Sequence, residues 1–188
     1  MVAALFVETN GCYFGLPNVD PWDEQRDARQ YAGPHPVVAH PPCQRWGSLA
    51  NVNHKRWGTV VGSDNGCFES ALYAVNTFGG VMEHPARSMA YKAYGLTRPV
   101  RGQWTPSDLG WTCEVAQSAY GHQCQKLTWL YYRGAELPPE VDWSRPPGTH
   151  TIGGTNKGAQ KPNMAKKDRI KTPVAFRDIL IQLAEGSR

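Results

Sequence analysis

Residues 37–85 constrain the fold more than any other stretch of the chain. Val37-Val38-Ala39 is a short, wholly apolar run bounded by His35-Pro36 before it and His40-Pro41-Pro42 after it. A run without polar alternation suits a strand covered on both faces, the usual condition in a parallel sheet. Phe68, Ala71, Leu72, Val75 and Phe78 then recur at helical spacing. Ser63 or Asp64 is a candidate cap for that helix, and Gly79-Gly80 stops it. Val81-Met82 opens the next apolar run and leads into Glu83. Strand, helix and strand joined by tight turns form a βαβ unit. The predicted fold is therefore α/β: a small Rossmann-like, mostly parallel sheet with flanking helices.

Both strands of this unit end at reactive side chains. Cys43 follows two prolines, whose restricted backbone holds it in place. To act as a nucleophile it must ionise, which needs nearby positive charge, and Arg45 is close in sequence. Glu83 follows a buried strand, a costly position for a charge without a partner or a task. Partial burial would raise its pKa and let it donate a proton near neutrality. Open parallel sheets place their sites at the carboxyl ends of strands, so Cys43 and Glu83 are expected to meet there. Plainer readings stand beside these. Cys43 is also readable as a small half-buried core residue, Glu83 as the partner of Arg87, and His40 and His84 as hydrogen-bonding residues that support the fold or orient a substrate.

Elsewhere, Ala3 to Val7 reads as a first buried strand, Asp23 to Tyr31 as a short polar helix, and Leu127 to Tyr132 as a strong strand. Residues 88–121 read as loops or short strands. Thr172-Pro173 opens a last helix, with Val174, Phe176, Ile179, Leu180 and Leu183 on its apolar side. The expected organisation is an α/β catalytic-type domain over 1–142, a basic loop-rich segment over 143–171 and a helix over 172–188 packed on the same domain. The net charge is only +4. Yet Arg145, Lys157, Lys161, Lys166, Lys167, Arg169 and Lys171 face the single acid Asp168 in the basic segment, which leaves the remainder slightly acidic. Such a segment reads either as a phosphate-facing surface or as a solvated stretch.

Five cysteines (Cys12, Cys43, Cys67, Cys113 and Cys124), with no C-x-x-C and no signal peptide, point to free thiols in a reducing cytoplasm. No apolar run approaches the roughly 20 residues that cross a bilayer. Between Arg45 and Gly62 a loop carries Trp46, His54, Lys55, Arg56 and Trp57. Aromatics among cations suit stacking on a base, or simply anchoring the loop. A metal centre would have to draw on His40, Cys43, His84, His122 and Cys124, whose spacing matches no usual closed site. The second cysteine of a zinc deaminase is absent after Pro42-Cys43. No metal is expected.

Pro42-Cys43-Gln44 resembles the Pro-Cys-Gln motif of the cytosine-C5 DNA methyltransferases. Val81-Met82-Glu83-His84-Pro85 is similar to their Glu-Asn-Val segment, with His84 in place of the asparagine. His122-Gln123-Cys124-Gln125-Lys126 is similar to their Gln-x-Arg-x-Arg segment, and Arg169-Ile170-Lys171-Thr172 to their Arg-x-Leu-Thr segment. The resemblance implies a compact relative of phage or prophage type. It implies that Cys43 adds to C6 of a pyrimidine while Glu83 acts at N3, making C5 electron-rich. It further implies that Pro42, Gln44, Arg45, Arg87, His122, Gln123, Lys126 and Arg169 hold the base or its phosphate, with His40 and His84 orienting. S-adenosylmethionine is the implied cofactor, with Phe6, Gly11, Asp20 and Asp23 as the residues offered to it. The family's glycine-rich loop after the first strand is represented here only by Gly11 and Gly15.

The expectation is thus cytosine modification in DNA by a cytoplasmic methyltransferase-like enzyme. Two other readings stay open: a DNA-binding or anti-restriction protein on a decayed methyltransferase scaffold, and an enzyme acting on free pyrimidine nucleotides.

Overall fold

The structure is a computed structural model and describes residues 1–47, 50–152 and 161–188, without the side chains of Asn51, Asn53, Trp57 and Lys166. Lys157 and the side chains of Trp57 and Lys166, all singled out above for stacking or charge, lie outside the described residues.

A seven-stranded sheet organises the chain, in the order β2-β1-β3-β4-β7-β6-β5. β1 (Val2–Leu5), β2 (Val19–Trp22), β3 (Val37–Ala39) and β4 (Gly80–Pro85) run parallel. β5 (Thr105–Ser107), β6 (Gly110–Ala116) and β7 (Leu127–Arg133) form an antiparallel half, joined by β7 pairing antiparallel with β4. The α/β class and flanking helices are present, but the sheet is mixed rather than mostly parallel. The reason lies in the connections. β5 and β6 are joined by two residues and β6 and β7 by ten, links that suit antiparallel neighbours, whereas parallel strands need longer crossovers.

α2 (Cys67–Phe78) supplies the crossover from β3 to β4. The N-cap of this helix is Gly66 rather than Ser63 or Asp64, but Asp64, two residues ahead of it, accepts hydrogen bonds from the backbone N–H of Gly66 (3.1 Å) and Phe68 (2.9 Å) and so steadies the first turn. Phe68, Ala71 and Val75 turn inward onto Leu5, Ala39, Met82 and Tyr131. The opposite face of the sheet carries Val2, Val38, Val81, Leu130 and Tyr132, and Phe176, Leu180 and Leu183 of α5 (Val174–Glu185) cover it. Because both faces are covered, β1 and β3 can be apolar at every position.

Several elements depart from the sequence reading. Residues 23–31 make turns and a single 3₁₀ turn at Ala28–Gln30 instead of a polar helix. Asp23 accepts from the N–H of Gln25 and Arg26, and Asp27 from that of Arg29, so side chains take donors a helix would use. Val19–Trp22 forms an edge strand despite Pro21, a tolerated position because an edge leaves one side unpaired. The loop after Arg45 contains α1 (Ala50–Trp57), and residues 88–121 hold α3 (Met89–Ala93) as well as strands. A short α4 (Lys166–Arg169) precedes α5. No helix among the described residues is long and apolar enough to cross a membrane.

Gly80 shows how closely β3 and β4 approach. Its φ is +117°, and a Cβ there would collide with the Val37 carbonyl oxygen. Gly80→Ala is expected to destabilise the protein by more than about 2 kcal/mol, through backbone strain and displacement of β3, read as a lower urea midpoint.

Candidate functional site

Register brings three strand ends to one edge. Leu5 pairs with Ala39, and Ala39 with Met82, so Phe6, His40 and Glu83 each stand one residue beyond that row. β7 runs the other way, with Thr128 opposite Pro85, so Lys126 arrives at the same edge from below the start of β7. The result is a cleft of about 380 Å³ whose walls include His40, Pro42, Cys43, Gln44, Glu83, Lys126 and Arg169. Phe6, Cys12 and Tyr13 close its other side. Cys43 and Glu83, far apart in sequence, thus share one cavity.

Cys43 is held by a turn. Its carbonyl accepts from the N–H of Trp46 (3.0 Å) and Gly47 (2.9 Å). Trp46 is buried and donates its indole N–H to Asp64 (2.7 Å), which pins the loop to the start of α2. Trp46 is therefore an anchor packed on Phe68 and Tyr94, not a free stacking platform. Nearby, the His54 ring contacts the Thr59 carbonyl (2.9 Å) and Lys55 is exposed.

Glu83 does not pair with Arg87. Its Oε1 accepts from His40 Nδ1 (3.0 Å), and the far nitrogen of that imidazole meets the Tyr13 hydroxyl (2.8 Å). Only 16% of the Glu83 side chain and 11% of the His40 side chain is exposed. Burial alone would raise the Glu83 carboxyl. The hydrogen bond from His40 outweighs it, with Lys126 helping, and holds the carboxyl at about 2. This reverses the expectation of a proton donor near neutrality, because desolvation is outweighed by a donor that the sequence did not reveal. Cys43 moves the other way. Burial, then the Glu83 carboxylate, raise its thiol above the ordinary value, and Lys126 opposes them more weakly. At rest the site therefore holds a carboxylate and a thiol, with the exchangeable proton on sulfur. Arg45, expected to ionise the thiol, lines neither this cleft nor the one beside it.

The other expected residues divide clearly. Lys126 and Arg169 reach the cleft, and Arg169 is steadied by donating from Nε to the Met164 carbonyl (2.9 Å). Arg87 and Gln123 are exposed and line neither cleft. His122 is buried and accepts the Cys124 N–H at Nδ1 (2.9 Å). His84 lies on the opposite face of the sheet from Glu83, fully buried against Phe68 with ring centroids 5.2 Å apart. Strand alternation makes that outcome unavoidable, because neighbours in a strand point to opposite faces. Within the basic segment, Arg145 is paired with Glu114 and Lys171 with Asp168, while Lys161 donates to the Gly148 carbonyl. Tyr13 is the contributor that sequence reasoning missed. It sits in a Gly- and Asn-rich connection, and no motif marks it.

A second cleft of about 540 Å³ adjoins the first and shares Phe6, Val7 and Pro42 with it. Of the residues expected to hold S-adenosylmethionine, Phe6 and Asp23 line it, while Gly11 and Asp20 line neither cleft. Asp23 is spent on Thr9 (2.7 Å) and two backbone N–H groups, and Asp20 on Arg26 and Trp22. With no glycine cradle and no uncommitted carboxylate among those residues, they do not fit that cofactor. Among the described residues there is no group of three or more His, Cys, Asp or Glu side chains that could hold a metal ion. All five cysteines are free. No protein-family profile, curated protein or solved structure matches the chain.

His84 has a measurable consequence. Neither ring nitrogen makes a hydrogen bond, since the nearby Pro42 carbonyl falls short of bonding geometry, and burial lowers the imidazole from 6.5 to about 4. A folded value below the unfolded one means that the unfolded chain binds the extra proton between those limits, so stability falls as pH drops from 6.5 towards 4. Between pH 7 and pH 5 the wild type is expected to lose about 2 kcal/mol more than His84→Phe, which keeps the packing and removes the titration. Urea midpoints at the two pH values measure this.

Proposed function

We propose that this protein modifies a pyrimidine base, cytosine in DNA, through a transient bond between Cys43 and C6 of the ring. The observation that supports the reading most directly is that Cys43 and Glu83 line one cleft, with a carboxylate and a thiol in complementary protonation states.

The chemistry follows from those states. The Cys43 thiol gives its proton to the Glu83 carboxylate, and the thiolate sulfur attacks C6. The C5=C6 electron pair becomes a C4=C5 enamine, and the C4=N3 pair moves onto N3, which takes the proton from Glu83. Sulfur has gained a bond to carbon, one proton has passed from sulfur to N3, and Glu83 ends as it began. C5 is then electron-rich and open to an electrophile. The residues offered to S-adenosylmethionine do not form a site for a methyl donor at that position.

A cleft of this size admits one pyrimidine nucleotide, which in DNA must be turned out of the stack. Lys126 and Arg169 at its wall suit the phosphate or the base edge. The same dimensions suit a free pyrimidine nucleotide, and salt separates the two. A DNA enzyme making several phosphate contacts binds DNA with a steep salt dependence, and a nucleotide enzyme does not.

Trapping tests the covalent step. DNA containing 5-fluorocytosine is expected to form an adduct that maps to Cys43 by peptide mass spectrometry. Cys43→Ala should abolish it while keeping DNA affinity, and Glu83→Gln should slow it by about 10²–10⁴-fold. A wild-type protein that binds this DNA but never forms the adduct, with or without an added methyl donor, would rule out the mechanism.

A further inference from the structure

The hydrogen-bond chain behind Glu83 has a direction. A carboxylate can only accept, so the His40 Nδ1 facing Glu83 at 3.0 Å must carry a hydrogen. In the neutral imidazole the other nitrogen, Nε2, then has to be an acceptor. What faces it at 2.8 Å is the Tyr13 hydroxyl, a group able to donate. Tyr13 is 3% exposed, lines the same cleft, and remains a neutral hydroxyl because burial pushes it well above its ordinary value.

We propose that Tyr13 is a positioning residue for Glu83, acting through His40: its hydroxyl donates to Nε2 and so, together with the Glu83 carboxylate, holds the neutral imidazole in the Nδ1–H tautomer, with a donor facing the group that receives the Cys43 proton. This rests on the base-adduct reading above. Without the hydroxyl, only the Glu83 carboxylate still favours the Nδ1–H form, and Nε2 loses its hydrogen-bond partner. The ring can then take the Nε2–H form and turn a lone pair toward the carboxylate. Glu83 would lose its main hydrogen bond while keeping its burial, and would protonate at higher pH. A protonated Glu83 cannot take the thiol proton.

The surroundings of the chain do not replace this role. Lys126 acts on Glu83 from the β6–β7 connection and Cys43 from the loop after β3, while His84 lies behind it on the other face of the same strand. Around Tyr13 stand Cys12 beside it and Arg177 and Asp178 from α5. Arg177 is already bound to Asp178 (2.6 Å) and to the Cys12 carbonyl (2.8 Å). Of these groups, Tyr13 is the one that hydrogen-bonds His40 Nε2.

The test needs no substrate at first. ¹⁵N NMR of histidine-labelled protein distinguishes the two tautomers, with His40 assigned by comparison with His40→Gln. The wild type is expected to show His40 as Nδ1–H at pH 8, and Tyr13→Phe, which keeps the ring, to move it toward Nε2–H. A wild-type Nε2–H tautomer overturns the proposal even if Tyr13→Phe does not fold, and so does an unchanged Nδ1–H in a folded Tyr13→Phe. The second readout is the pH profile of adduct formation with 5-fluorocytosine DNA. Its acid limb should move alkaline by about one pH unit in Tyr13→Phe, the scale of one hydrogen bond to a charged group. In the His40→Gln background, where an amide replaces the ring and has no tautomer, Tyr13→Phe should produce no further shift. An unmoved limb, or an equal shift in both backgrounds, sinks the proposal. A wild type that makes no adduct at any pH sinks the base chemistry instead, and the NMR result still decides the tautomer.

Discussion

Glu83 is the constraint around which this edge of the molecule is arranged. A carboxyl placed at the end of a buried strand loses most of its water, and an isolated charge there would be strongly unfavourable. The fold answers with His40, delivered by the next strand at the same level, and answers His40 with Tyr13 from the connection after β1. Each member satisfies the one before it, so the order of the chain follows from the acceptor at its head. The cost of a buried charge is offset only while that order holds.

The mixed sheet makes the cleft possible. A purely parallel array would bring strand ends, and the loops after them, to the carboxyl edge. Because β7 runs against β4, it brings a strand beginning there as well, and with it Lys126. That cation weakens the effect of Glu83 on Cys43 and contributes to keeping Glu83 ionised. The covering helices divide the labour. α2 anchors the Cys43 loop through Asp64 and Trp46, while α5 covers the face on which Tyr13 packs.

Thiol and carboxylate together make a self-contained proton inventory. Under the proposed base chemistry, the proton that leaves Cys43 is the one a pyrimidine N3 needs, and base activation then calls for no outside acid. This economy has a chemical requirement: Glu83 must be ionised at rest. A glutamate simply buried in an apolar pocket, as its place in the sequence suggested, would start in the wrong state.

The sequence by itself determined the βαβ unit, its class and the meeting of Cys43 with Glu83, because short apolar runs, helical periodicity and Gly79-Gly80 are local signals with few alternative readings. The resemblance to methyltransferase segments offered Lys126 and Arg169 as substrate-holding residues, and they do line the cleft, whereas Arg45 and Arg87, offered beside them, do not. The sequence could not separate His40 from His84, although both stand at strand ends beside prolines. One lies on the cleft face and the other beneath Phe68, and only pairing register and strand alternation decide which. Nor could it find Tyr13, whose partner is 27 residues away and whose role exists only across two strands. The ionisation of Glu83 belongs to the same class. Burial is readable from an apolar neighbourhood in sequence, but the donor that outweighs burial arrives from a different part of the chain, and the tertiary structure alone brings it within 3.0 Å.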